Sequence, residues 1–99
     1  MFILELTYTA PLERVDALLP AHIAWLERHY AAGTFLASGR KVPRDGGVIL
    51  AVAPDRSAVE AIAATDPFVP AGVADYRITE FLATTVAPVL AAHRESLPS

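Results

Sequence analysis

Phe2, Leu4, Leu6 and Tyr8 alternate with Ile3, Glu5 and Thr7. A period of two is that of a strand with one face more apolar than the other. After a turn at Thr9–Pro11 the apolar positions take helical spacing from Leu12 to Ala32, interrupted by Pro20. Proline inside a helix removes a hydrogen bond and crowds the preceding turn, whereas in a first turn it is tolerated. The pattern therefore predicts a short leading piece, Leu12–Leu19, and a main helix from Pro20 that stops at a glycine cap, Gly33. Thr34–Ser38 predicts a second strand and Gly39–Gly47 a polar hairpin connection. Val48–Ala53 (VILAVA) is apolar at every position, as a strand covered on both faces is. Ser57 and Glu60 have the spacing of a capping box and predict a second helix running to Thr65. The stretch DPFVPAG (66–72) turns the chain, and Val73–Leu82 alternates again. The tail 83–99 has room for a short helix around Pro88.

Strand, helix, strand, strand, helix, strand is the order of an α+β, ferredoxin-like βαββαβ domain: an antiparallel sheet with two helices on one face. The chain is expected to form a single domain over 1–99, with its core in about 2–82. Such a sheet leaves its other face uncovered, and the VILAVA strand is too apolar to remain so. A two-fold pairing of two open sheet faces covers it, so the expected partner is a second copy, giving a homodimer.

Composition sharpens this. Hydrophobic residues make up 54% of the 99 and charged ones 19%, which is apolar for so short a chain and favours the paired form. Eight Lys and Arg against eleven Asp and Glu give a net charge of −3, which argues against a nucleic-acid partner. No run is long enough to span a membrane. The first residues, MFILELTYTAP, lack the basic start of a signal peptide and carry Glu5 inside their apolar run. With no cysteine there is no disulfide, thiolate metal site or thiol nucleophile. These features together fit a cytoplasmic domain.

Candidate chemistry sits on the main helix, where His22, Trp25, Leu26, His29 and Tyr30 share one face. His22 and His29 are two turns apart, about 10.5 Å along the axis, too far to share one zinc ion. A helix starting at Pro20 puts His22 in its first turn, where the dipole disfavours imidazolium and leaves the neutral ring that a general base needs. The alternative is a partly buried histidine bonded to a backbone carbonyl. His29, near the helix C-terminus, reads as structural, and His93 as a solvated tail residue. Pro67 forces Asp66 out of helical geometry. Asp66 then either bonds its own turn or reaches back to orient an imidazole. After strand two, Ser38, Gly39, Arg40 and Lys41 offer either a solvated hairpin or a close-approach glycine with two cations for a carbonyl or carboxylate. Common hydrolase motifs are absent from the sequence.

The ordered set of His22 with Ala24-Trp25-Leu26, Gly33, Ala37-Ser38-Gly39, Asp66-Pro67-Phe68 and Ala71-Gly72-Val73 resembles the YciI-like (YCII-related) family of the dimeric α+β-barrel group. The resemblance covers roughly residues 2–82. It implies a ferredoxin-like subunit, a face-to-face dimer and a His–Asp catalytic dyad that falls on His22 and Asp66. The chain departs from the family pattern at Arg40, where proline is common, and at Leu18-Leu19-Pro20, where many members carry an arginine. The expectation is a small enzyme without a cofactor or metal, of lyase or isomerase type, acting on an aromatic or lactone-like metabolite. In it His22 moves a proton, Asp66 orients it, Arg40 or Lys41 meets negative charge, Ser38 contacts substrate, and Trp25 and Phe68 form apolar walls. The competing expectations are a dimeric metabolite-binding protein that uses the same cleft and a purely structural interaction domain.

Overall fold

The computed structural model describes residues 1–98. Four strands, β1 (Phe2–Tyr8), β2 (Phe35–Arg40), β3 (Gly46–Ala51) and β4 (Ala74–Glu80), form one sheet in the order β2-β3-β1-β4, with every neighbouring pair antiparallel. Helices α1 (Leu12–Ala31) and α2 (Arg56–Ala64) fill the two crossover positions of the ferredoxin-like order. Alternation along the strands decides which side chains meet them. Phe2, Leu4 and Leu6 of β1 and Ile49 and Ala51 of β3 are buried. They pack in two adjoining clusters, one around Trp25, Val59 and Ala63 and the other around Val15, Phe68 and Val73.

Helix α1 is continuous, not the two pieces that Pro20 predicts. Proline in a helix interior costs about 3 kcal/mol, and packing on both sides of it supplies the offset. Val15, before the proline, is sealed in one cluster, and Trp25, after it, in the other. His22 consequently lies mid-helix, where the dipole effect, confined to the end turns, does not reach it. The glycine cap does stand, since Gly33 adopts φ 78°, a left-handed conformation that favours glycine.

Strand β2 carries a bulge between Phe35 and Ala37. Phe35 faces the helices. The extra residue reverses the phase, so Ser38, opposite the buried Ile49, and Arg40, opposite Gly47, face them too. Lys41 follows on the other side, where its Nζ donates to Glu5 Oε1 at 3.0 Å. That other side stays open in the single chain. Val48 is 39% exposed and Ile3 36%, so the VILAVA segment is not covered on both faces, and β3 ends at Ala51.

The cap of α2 is Asp55, not Ser57. Asp55 Oδ1 accepts from the Ala58 N–H at 2.8 Å and from the Ser57 hydroxyl at 2.9 Å, while Glu60 pairs with Arg56. These bonds, the backbone one foremost, hold the Asp55 carboxyl below its ordinary pKa. A depressed folded pKa means that the cap stabilises fully above the unfolded value, about 4, and is lost as pH falls through the folded one. Asp55→Ala is therefore expected to lower the thermal midpoint at neutral pH, and its gap from the native protein should close in acid. An equal gap at about pH 7 and about pH 2 would contradict the cap. Beyond the sheet, Pro88–His93 forms a 3-10 helix, and Glu95 returns to Ala83 through a 3.0 Å backbone bond. Among the described residues no helix is long and apolar enough to cross a membrane.

Candidate active site

The turn after α2 delivers Asp66. Its N–H still bonds the Ala63 carbonyl (3.2 Å), Pro67 then diverts the chain, and Val69 N–H closes back on the Asp66 carbonyl at 2.9 Å. The side chain is fully buried. Oδ1 accepts from the Phe68 N–H at 3.0 Å, which is the local turn bond expected of an aspartate before proline. The same oxygen meets His22 Nδ1 at 2.9 Å, and Oδ2 accepts the Tyr76 hydroxyl. The two readings of Asp66 are thus compatible: one carboxylate oxygen caps its own turn and holds the imidazole. A buried carboxylate loses several kcal/mol of hydration, and three converging donors offset that loss.

The ring of His22 is fixed in plane as well as in direction. Phe68 stacks on it with centroids 4.2 Å apart and planes at 10°, and Trp25 lies 5.6 Å away. With Asp66 as acceptor, the neutral ring carries its proton on Nδ1 and its lone pair on Nε2. Nε2 has no hydrogen-bond partner among the described residues. Burial, and then the adjacent Asp66 carboxylate, push the Tyr76 hydroxyl far above the usual phenol range, so Tyr76 remains a donor to Asp66 and does not titrate near neutrality.

His22 lines a cavity of about 200 Å³ between α1 and the β1–β3–β2 side of the sheet. Leu19, Ile23 and Leu26 form its helix wall, and Leu6, Tyr8 and Ile49 its sheet wall. Gly47, at a helix-facing position opposite Arg40, adds no side chain to the floor. Ser38 and Arg40 line it through the phase reversal in β2, and Arg44 lines it from the connection between β2 and β3. Arg44 pairs with Asp16 of α1 and lies over the Tyr8 ring, 5.9 Å from its centroid.

Several expected site residues fall elsewhere. Trp25 and Phe68 are fully buried and do not line the cavity. They pack behind His22, and Trp25 Nε1 donates to Thr65 Oγ1 at 2.9 Å. Lys41 is on the opposite sheet face with Glu5, because one residue of register separates it from Arg40. Ser38 reaches the cavity, and its hydroxyl shares a 2.6 Å bond with Tyr30. Tyr76, Arg44, Asp16 and the wall residues Leu19 and Ile23 escaped the sequence reading. The one usable signal was the alternation that put Tyr76 on the same side of β4 as Ile78. His29, packed against Trp25 and Phe35, has its pKa lowered by burial and secondarily by Arg28, which fits the structural role expected for it. Among the described residues no three His, Cys, Asp or Glu side chains gather to hold a metal ion.

A solved structure with the same fold is 5-chloro-2-hydroxyhydroquinone dehydrochlorinase (TftG) from Burkholderia phenoliruptrix AC1100, in complex with 2,5-dihydroxybenzoquinone. It is 20% identical, with a TM-score of 0.69 over 82% of this chain and 93% of that one. No curated protein matches the chain at a significant level. The family description "YCII-related domain" matches residues 1–82, most of the 99, and the chain therefore belongs to the YCII-related domain family.

Proposed function

We propose that the protein is a small acid–base enzyme of lyase or isomerase type in which His22 moves a proton and Asp66 orients it. The reading rests on one observation: His22 Nδ1 is tied to a buried carboxylate at 2.9 Å while the ring borders a cavity. Nε2 takes a proton from a carbon beside a carbonyl or from a ring hydroxyl, and the electron pair moves into the conjugated system. In a lyase that pair expels a leaving group as an anion. In an isomerase the imidazolium returns the proton at another carbon. Asp66 stabilises the imidazolium in between, and so does the face of Phe68. No step calls for a cofactor.

Volume narrows the substrate. A cavity of about 150 Å³ holds benzene, so about 200 Å³ suits one substituted ring or a lactone of similar size. The neighbour's named substrate, a chlorinated hydroxyhydroquinone, supports single-ring polyhydroxylated compounds as the first class to assay. Chloride release and solvent-deuterium incorporation across such rings and small lactones are the tests, with the His22 variants as the deciding arm. We further infer that two copies pair through their open sheet faces. There Ile3 of β1 stands opposite Leu50 of β3, and Val48, two residues before Leu50, stands opposite Glu5, with Ile3 and Val48 exposed. Sedimentation equilibrium should give two chains per particle, and Val48→Glu should give one. A monomeric native protein would end the pairing proposal.

A further inference from the structure

The lining of the cavity is cationic in a chain whose net charge is −3. Arg40 and Arg44 line it, and among the described residues no carboxylate does. Asp16 pairs with Arg44 from α1, outside the lining residues, and so balances one of the two guanidiniums. Arg40 has no ion-pair partner among the described residues, and its carboxylate neighbour by charge is the same Asp16. Arg44 is held in place by Asp16 and Tyr8 yet remains short of acceptors: its Nε is buried with no hydrogen-bond partner among the described residues. The helix wall of the cavity, Leu19, Ile23 and Leu26, is apolar.

We propose that the cleft selects a single-ring carboxylate, its anionic group docked at Arg40 and Arg44 and its ring against the α1 wall, with Asp16 as an internal competitor for Arg44. The planar forks of arginine match a carboxylate, and the volume leaves room for a ring and one such group. A docked carboxylate fixes which ring position faces His22, which makes Arg44 and Asp16 specificity residues. This deepens the reading above and rests on it for the cleft as the substrate site.

The test uses benzoate and its neutral counterpart benzamide as probes, with calorimetry for affinity and the His22 ring resonances for location. Benzoate should bind at least about ten-fold more tightly than benzamide and shift those resonances. Arg40→Gln and Arg44→Gln should each weaken benzoate about ten-fold. Lys41→Gln, on the opposite sheet face, should not. Both Arg44→Gln and Asp16→Asn remove the Asp16–Arg44 ion pair. Asp16→Asn, however, keeps the guanidinium and an amide oxygen that can still accept from it, removes the competing charge, and should tighten benzoate about three- to ten-fold. Equal binding of benzamide, an Asp16→Asn protein that binds benzoate no better, binding that leaves His22 unshifted, or no benzoate binding at millimolar concentration would each overturn the proposal. Binding is read without turnover, so the two readings fail separately. Carboxylate selectivity with turnover that survives loss of His22 would remove only the catalytic role. His22-dependent turnover with equal benzamide binding would remove only the carboxylate site.

Discussion

Replacing His22 with alanine should lower turnover by about 10²–10⁴-fold, the contribution of one positioned acid–base group, or about 3–5 kcal/mol of barrier. The loss should fall on kcat more than on KM, since the leucine and isoleucine wall and the arginines that line the cavity remain in place. His22 also fills space between Phe68 and Trp25, so alanine opens a gap in a packed stack. His22→Gln, closer in size, should keep the thermal midpoint near native and still lose the rate, because an amide has no basic nitrogen to take the proton. Turnover unchanged in either folded variant would remove His22 as the base and leave the cleft as a binding site.

Asp66→Ala should be the most destabilising single change at the site. It strips one acceptor group from the His22 ring, the Phe68 N–H and the Tyr76 hydroxyl at once. Breaking a buried pair typically costs about 3–5 kcal/mol, a large share of the roughly 5–15 kcal/mol that holds a domain together. Urea unfolding should show the midpoint falling with the slope unchanged. Asp66→Asn separates charge from shape. Its carbonyl oxygen can accept from Phe68 and His22, and its amide can donate to Tyr76, so stability should fall less than in the alanine variant. Turnover should still drop, because the imidazolium loses its counter-charge. A loss below about 1 kcal/mol in Asp66→Ala would mean that these three donors find other partners and that the carboxylate does not organise the turn.

Much of this architecture was legible along the chain because its signals are local. A period of two in β1 and β4, glycine at the end of α1 and proline after Asp66 each act within a few residues. The errors share a cause of the opposite kind. Pro20 reads as a break, and the helix runs through it because Val15 and Trp25 are anchored in clusters built by distant strands. Trp25 and Phe68 read as substrate walls from their helix face and turn position, but the depth of the core beneath α1 places both behind the histidine. Arg40 and Lys41 read as one cationic pair, and the sheet sends them to opposite faces.

By itself, then, the sequence determined the order of elements and the antiparallel α+β layout, and it singled out His22 and Asp66 as a histidine and an acid that could meet. Those follow from backbone periodicity and turn chemistry, which depend on near neighbours. Only the tertiary structure decided that Asp66 serves its own turn and His22 together, that Tyr76 completes the carboxylate's shell, and that a bulge of one residue in β2 turns Ser38 and Arg40 toward the cleft. These depend on register and on contacts between segments such as residues 22, 66 and 76. Sheet pairing and core packing set those contacts, and no local preference encodes them.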